Sequence, residues 1–395
     1  MTPNDLVPHL FRTEFSKISS VLVKQFGLEF IEIAEDIASD TFLLALDTWR
    51  FKGVPENAKA WLYTVAKNKA RNYISRNKLY LNKISVELNL STSVFEKPEI
   101  DLSEQNISDS LLQMLFVACH PSIPVESQVA LALRILCGFG IDEIATAFIT
   151  KKETINKRLF RAREKLRLEK VRIEFPNENE INNRLAAVLL TLYLLFNEGY
   201  YSESKDTVLS NDLCSDAMRL THLLLDHPKT NLPNVRAFYA LMCFHSSRFP
   251  ARESAEGKMI LYENQNEGLW DYELIAKGAY YLNMASTGNH LSKYHLEASI
   301  GYWHTVKNDT KEKWENILQL YNKLLQIEYS PIAALNRTFA LSKANSKEEA
   351  LIEAEKLKLT SNHYYYNLLG ELYKDADVTK AIENFEKSCL LAKSK

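Results

Sequence analysis

Glycine is scarce in this chain, 11 residues in 395, and none of its placements forms the Gly-rich loop that cradles phosphate groups. No nucleophile motif is present either. The five cysteines, Cys119, Cys137, Cys214, Cys243 and Cys389, include no C-x-x-C pair, so all five read as buried, reduced thiols. His222 and His227, or His290, His295 and His304, lack metal-site spacing. No signal peptide is expected, and the apolar run within Arg184–Ser204 is interrupted by Asn197 and Glu198, so Leu185–Phe196 reads as a buried helix rather than a membrane span. These absences argue against an enzyme, a cofactor, a metal and a membrane, and the reduced thiols suit the cytoplasm.

What is present is charge, unevenly placed. The whole chain carries a net −2, yet Ile149–Arg172 holds ten Lys and Arg against three Glu. Within IDEIATAFITKKETINKRLFRAREKL (Ile141–Leu166), Ile141, Ile144, Ala145 and Phe148 recur at helical spacing, and so do Ile155, Leu159, Ala162 and Leu166. Thr150 to Lys152 lies between them as a turn. Outside the second apolar stripe stand Lys151, Lys152, Lys157, Arg158, Arg161, Arg163 and Lys165, so the pattern predicts a helix-turn-helix with a cationic outer face, the footprint of DNA recognition. Ile149 occupies a turn position where many such units have Gly.

A second basic helix is predicted in Val54–Lys78, with Asn57 as its N-cap. Leu62, Val65, Ala66, Ala70, Tyr73 and Ile74 form the apolar face, while Lys59, Tyr63, Lys67 and Arg71 step by four along an outer stripe extended by Arg76 and Lys78. Arg50–Lys83 contains nine Lys and Arg against Glu56 alone. Basic and aromatic side chains together suit a strand with unstacked bases, each stacking contact contributing about 1–3 kcal/mol. Trp61 and Tyr73 fit a core or boundary role equally well. Upstream, Phe26–Trp49 is amphipathic with an acidic side holding Glu35, Asp36 and Asp40. That face suits protein docking better than DNA, with Phe42, Leu43 and Leu46 inward or at its edge.

These three segments, AEDIASDTFLLAL, AWLYTVAKNKARNYISR and the helix-turn-helix, resemble the extracytoplasmic-function group of bacterial RNA polymerase sigma factors. The resemblance implies an all-α chain with a region 2 domain over 1–78, a flexible linker over 79–107, and a region 4 domain over 108–172. A helical, tetratricopeptide-like extension over 173–395 follows. It implies core RNA polymerase and promoter DNA as partners. Glu35, Asp36, Asp40, Phe42 and Leu43 would dock on the polymerase clamp helices; Lys59, Trp61, Tyr63, Lys67, Arg71, Asn72 and Arg76 would hold the melted −10 strand. Lys151, Lys152, Thr154, Asn156, Lys157, Arg158, Arg161 and Lys165 would meet the −35 element, Lys152, Thr154, Asn156 and Lys157 at base edges and Arg158, Arg161 and Lys165 at phosphates.

The extension differs in charge from what precedes it: residues 1–172 are net +3 and residues 173–395 net −5. Leu335, Asn336 and Phe339 recur as Leu369, Gly370 and Tyr373, 34 residues on, with Ala350 and Ala354, then Ala381 and Phe385, as second-helix contacts. That is the period of tetratricopeptide helix pairs. Arg184–Ser204 and Asp212–Leu224 resemble the start of the extension in the sigma-factor subgroup carrying such domains. The resemblance implies regulation within one polypeptide, with a ligand or protein partner at the extension. A stand-alone helix-turn-helix regulator, recruiting a protein through its repeats, is the alternative; it would need neither the acidic docking face nor the aromatic-basic helix.

Overall fold

The computed structural model describes residues 3–87, 100–200, 207–252, 260, 262–288 and 290–392. Every regular element among them is helical, and they group into two units, 1–224 and 225–395.

In the first unit, α1 (Pro3–Phe26) is the central helix and packs against α2 (Ile31–Lys52), α3 (Ala58–Glu87), α4 (Glu104–Ala118) and α5 (Val125–Leu136). Its buried positions, Val7, Leu10, Phe15, Ile18, Val21 and Leu22, follow the helical period. Gly27, at φ +99°, donates its N–H to the Val23 carbonyl and turns the chain into α2. Asn57 caps α3, its Oδ1 accepting from Ala60 N at 2.9 Å. The chain has no Gly or Pro from Glu56 to Lys97 to stop that helix, and α3 runs past the boundary expected at residue 78 to Glu87. The remainder of the expected linker, residues 88–99, lies outside the described residues.

Helices α6 (Ile141–Ala147) and α7 (Lys152–Leu168) pack on each other and on α5. Next come α8 (Ile181–Tyr200) and α9 (Thr207–Asp226). Helix α8 lays Leu185, Val188, Leu192 and Leu195 inward against α4 and α5, as its apolar run predicts, although Leu190 and Leu194 remain partly exposed. Arg184 donates to the Phe116 carbonyl at 2.7 Å and Thr191 to Gln128 Oε1 at 2.7 Å. Arg219 of α9 donates to the Leu136 carbonyl at 2.7 Å. These bonds join residues 181–224 to the helices before them, so the first unit extends beyond the boundary expected at residue 172. No helix among the described residues is long and apolar enough to cross a membrane.

The second unit contains α10 (Pro233–Ser246), α11 (Phe249–Arg252), α12 (Tyr272–Ala285), α13 (Lys293–Trp303) and α14 (Lys311–Ile327), then α15 (Pro331–Ala344), α16 (Lys347–Leu357), α17 (His363–Tyr373) and α18 (Val378–Leu391). Phe244 of α10 is buried between Gly278 of α12 and Gly301 of α13, where a Cβ would stand 2.7 and 3.3 Å from its atoms. The tetratricopeptide-like part is two helix hairpins, α15–α16 and α17–α18, preceded by α14. Side-chain caps start the helices at Thr310, Ser330, Ser346, Asn362 and Asp377. The burial pattern repeats at 32 residues, not 34: Thr338 and Gly370, Ala340 and Leu372, and Leu341 and Tyr373 are matching buried positions, whereas Asn336 is exposed where Gly370 is buried against Phe385. Identical letters misled there, because only the buried face carries the register. Four cysteines are buried as expected, but Cys389 is exposed. It lies on the outer side of the last helix, whose second neighbour is missing.

Candidate nucleic-acid interface

Helix α6 ends in a motif that fixes the angle of α7. Thr150 N–H donates to the Ala145 carbonyl at 2.9 Å and Ile149 N–H to the Thr146 carbonyl at 3.2 Å, the paired bonds of a Schellman cap. That cap requires a left-handed residue, and Ile149 supplies it at φ +46° while 65% exposed. The turn is therefore built with a β-branched residue where glycine is favoured. Ile155, Leu159, Ala162 and Leu166 are all buried, each Ile or Leu stabilising the pair by about 1.5–3 kcal/mol. Their burial turns Lys151, Lys152, Asn156, Lys157, Arg161 and Lys165 outward, with Thr154 and Arg158 half-buried. Lys152 meets Asp142 at 2.9 Å and Lys165 meets Glu169 at 2.8 Å. Both pairs are exposed and cost little to exchange for phosphate.

On α3, Arg71, Asn72 and Arg76 are exposed and Lys67 half-buried. Trp61 packs edge-on against the buried Trp49, with ring centres 5.3 Å apart, and Tyr73 lies against Phe26 at 5.7 Å. Both are boundary aromatics in this conformation. Tyr63 donates to Glu14 Oε2 at 2.6 Å, and Lys17 and Lys59 approach Glu14 Oε1 at 3.0 and 3.3 Å. Burial alone would raise the fully buried Glu14 carboxyl, but the bonds from Tyr63 and Lys17 hold it below the usual range. Burial and Glu14 in turn push the Tyr63 phenol up. Glu14 was not anticipated from the sequence, although a carboxylate among Leu10, Phe11, Phe15 and Ile18 was a readable signal.

The acidic helix α2 divides its residues. Asp36, Asp40 and Leu43 are exposed, Asp40 pairing with Lys69 at 3.3 Å, while Phe42 is buried and Glu35 is 6% exposed. Both Glu35 oxygens are engaged: Arg163 of α7 donates to Oε1 at 2.8 Å, and Arg134 of α5 lies 3.6 Å from Oε2. Arg163 also reaches Glu32 at 3.5 Å. Arg12 of α1 pairs with Asp212 of α9 at 2.9 Å, lies 3.8 Å from Asp216, and covers the Phe139 ring at 3.9 Å. The sequence patterns gave Arg12, Arg134 and Arg163 no such roles, because their partners lie between 128 and 204 residues away or on another helix entirely.

Residues 23–80 match the sigma-70 region 2 family and residues 113–166 the sigma-70 region 4 family. The chain belongs to the sigma-70 family of RNA polymerase sigma factors. Residues 184–286 match a family of unknown function (DUF6596). An uncharacterized protein of Rhizobium meliloti is 31% identical over 351 residues, covering 87% of this chain and 82% of its own. RNA polymerase sigma factor YlaC of Bacillus subtilis is 29% identical over 169 residues, 42% of this chain and 93% of its own. The ECF RNA polymerase sigma-E factor of Salmonella typhimurium (strain LT2) is 30% identical over 136 residues, 33% of this chain and 69% of its own. No solved structure matches the chain. The sigma factor thus carries region 2 in α2–α3, region 4 in α4–α7, and a helical extension beyond both. Its family sets core RNA polymerase and promoter DNA as its partners in transcription initiation.

Proposed function

We propose that this sigma factor engages core polymerase through the exposed edge of α2, holds the melted −10 strand along α3, and reads the −35 element with α7, under regulation in cis by its extension. The observation that carries the reading is the two-faced α7: an apolar stripe wholly buried, and a cationic face turned to solvent at the end of a capped helix-turn-helix. Lys152, Thr154, Asn156 and Lys157 lie in its first turns and serve base edges; Arg158, Arg161 and Lys165 lie further along and serve phosphates. On α3, Lys67, Arg71 and Arg76 meet phosphates, Asn72 and Lys59 flank them, and Trp61 and Tyr63 offer ring faces to extruded bases. On α2, Asp36, Asp40 and Leu43 form the docking edge, and Glu35 and Phe42 join it when their present partners release them. The work is recruitment and strand separation, with no bond made by the chain itself.

The docking role is tested by reversing charge at Asp36 and Asp40. Both are exposed, so the double Arg variant is expected to keep a cooperative melt and lose retention on immobilised core polymerase. Unchanged retention overturns the assignment.

A further inference from the structure

The −10 and −35 elements are separated by some 25 base pairs, about 85 Å at 3.4 Å per step. In the first unit the helices assigned to them are not apart by anything like that distance. Arg163 of the −35 helix is 2.8 Å from Glu35 of α2, and α1, which carries Glu14 beneath Lys59 and Tyr63, packs directly on α4 and α5. A chain in this arrangement meets one element at a time. Meeting both requires α4–α7 to part from α1–α3, and the 16 residues between Glu87 and Glu104 reach about 55 Å when extended.

We propose that the first unit is a closed form of the sigma factor, fastened by two arginine clasps, and that promoter engagement opens it. This rests on the sigma reading above and adds the device that regulates it. The first clasp is Glu35 between Arg134 and Arg163: one carboxylate of region 2 accepts from two separate helices of region 4, so the pair cannot part without stranding a charge that is 6% exposed. The second is Arg12, held by Asp212 and Asp216 of α9 and stacked on Phe139, the residue leading into α6. Burial pushes the Asp216 carboxyl up while Arg219 and Arg12 oppose it. Through Arg184, Thr191 and Arg219, helices α8 and α9 also grip α4 and α5. The start of the extension thereby spans both sigma regions. It brackets them in the closed form, and the clasp takes Glu35 out of the docking edge while Arg163 is taken from the cationic face of α7.

Dyes at Asp47→Cys on α2 and Leu168→Cys on α7, both exposed and outside the proposed interfaces, report the opening by single-molecule energy transfer in a full chain carrying Cys389→Ser. The free chain is expected to show one high-transfer population. Arg134→Gln with Arg163→Gln is expected to raise the low-transfer fraction at least tenfold, with Arg12→Gln acting in the same direction. If the double variant loses its cooperative melt, Arg163→Lys, which keeps the charge without the forked geometry, is read instead and must also raise that fraction. A free chain already at low transfer, or clasp variants indistinguishable from it, overturns the proposal. Adding core polymerase and a duplex with both elements is expected to bring the full chain to low transfer. Failure to be retained by polymerase counts against the sigma reading and leaves the free-chain result to judge the clasp. Retention with transfer unchanged overturns the clasp alone.

Discussion

Ile149 holds a left-handed turn with a β-branched side chain, 65% of it in solvent. An L-residue there costs about 1–2 kcal/mol, and glycine returns part of that gain through its freer unfolded chain, about 0.5–1 kcal/mol. Ile149→Gly is therefore expected to stabilise the first unit by up to about 1 kcal/mol, seen as a higher urea midpoint with an unchanged slope. A lower midpoint would mean that the isoleucine side chain contributes packing beyond its visible contacts. His304 sets a second residue-scale expectation. Its ring lies against Tyr262 and Trp314. Burial, then Arg248 and Lys313, brings its pKa down from 6.5 to about 3, and His245 is lowered in the same direction by burial, Arg248, Arg252 and His304. The folded chain thus stays neutral where the unfolded chain takes up a proton. The stability these rings contribute is complete above pH 6.5 and is lost as pH falls from 6.5 toward 3, at no more than about 1.4 kcal/mol per pH unit for each. Melting temperatures at pH 7.5, 6.5 and 5.5 should fall in that order, and His304→Gln should flatten the trend; a pH-independent melt would remove both rings from the account.

At the scale of elements, α7 supports a quantitative statement about DNA. Replacing Arg158 and Arg161 by Ala should weaken binding across all −35 sequences and lower the salt slope by about one for each lost phosphate contact. Fluorescence anisotropy between 50 and 300 mM salt checks it, and an unchanged slope takes the two residues out of the interface. This helix was legible in the sequence because its burial period and its charge run in opposite phases over five turns, so each face announces itself. The cap at Asn57 and the apolar run of α8 were legible for similar reasons, being local and periodic. The 34-residue repeat was not read in the right register, since Asn336 and Phe339 matched by letter while Thr338 and Leu341 matched by burial. Glu35 on the acidic face was visible, but its two arginines were not. Ion pairs that close 99 and 128 residues of chain have no period to reveal them.

At the scale of the molecule, helices α8 and α9 alter how the regulatory reading is examined. Cutting after Arg172 would strip α4 and α5 of the partners of Phe116, Gln128 and Leu136, mixing damage with regulation. Cutting after Asp226, the end of α9, preserves them. Transcription in vitro on a responsive promoter is expected to differ at least tenfold between residues 1–226 and the full chain. Equal rates would withdraw the claim that the remaining helices regulate the sigma factor. The bracket formed by α8 and α9 also bears on dosage. A restraint supplied by another protein is exhausted once the sigma factor outnumbers it, which gives a threshold in expression. Here every copy arrives with its own Asp212 and Arg219, at an effective concentration set by the chain and indifferent to how many copies are made. Output should then rise in proportion to expression from the first molecules onward, with no threshold to cross.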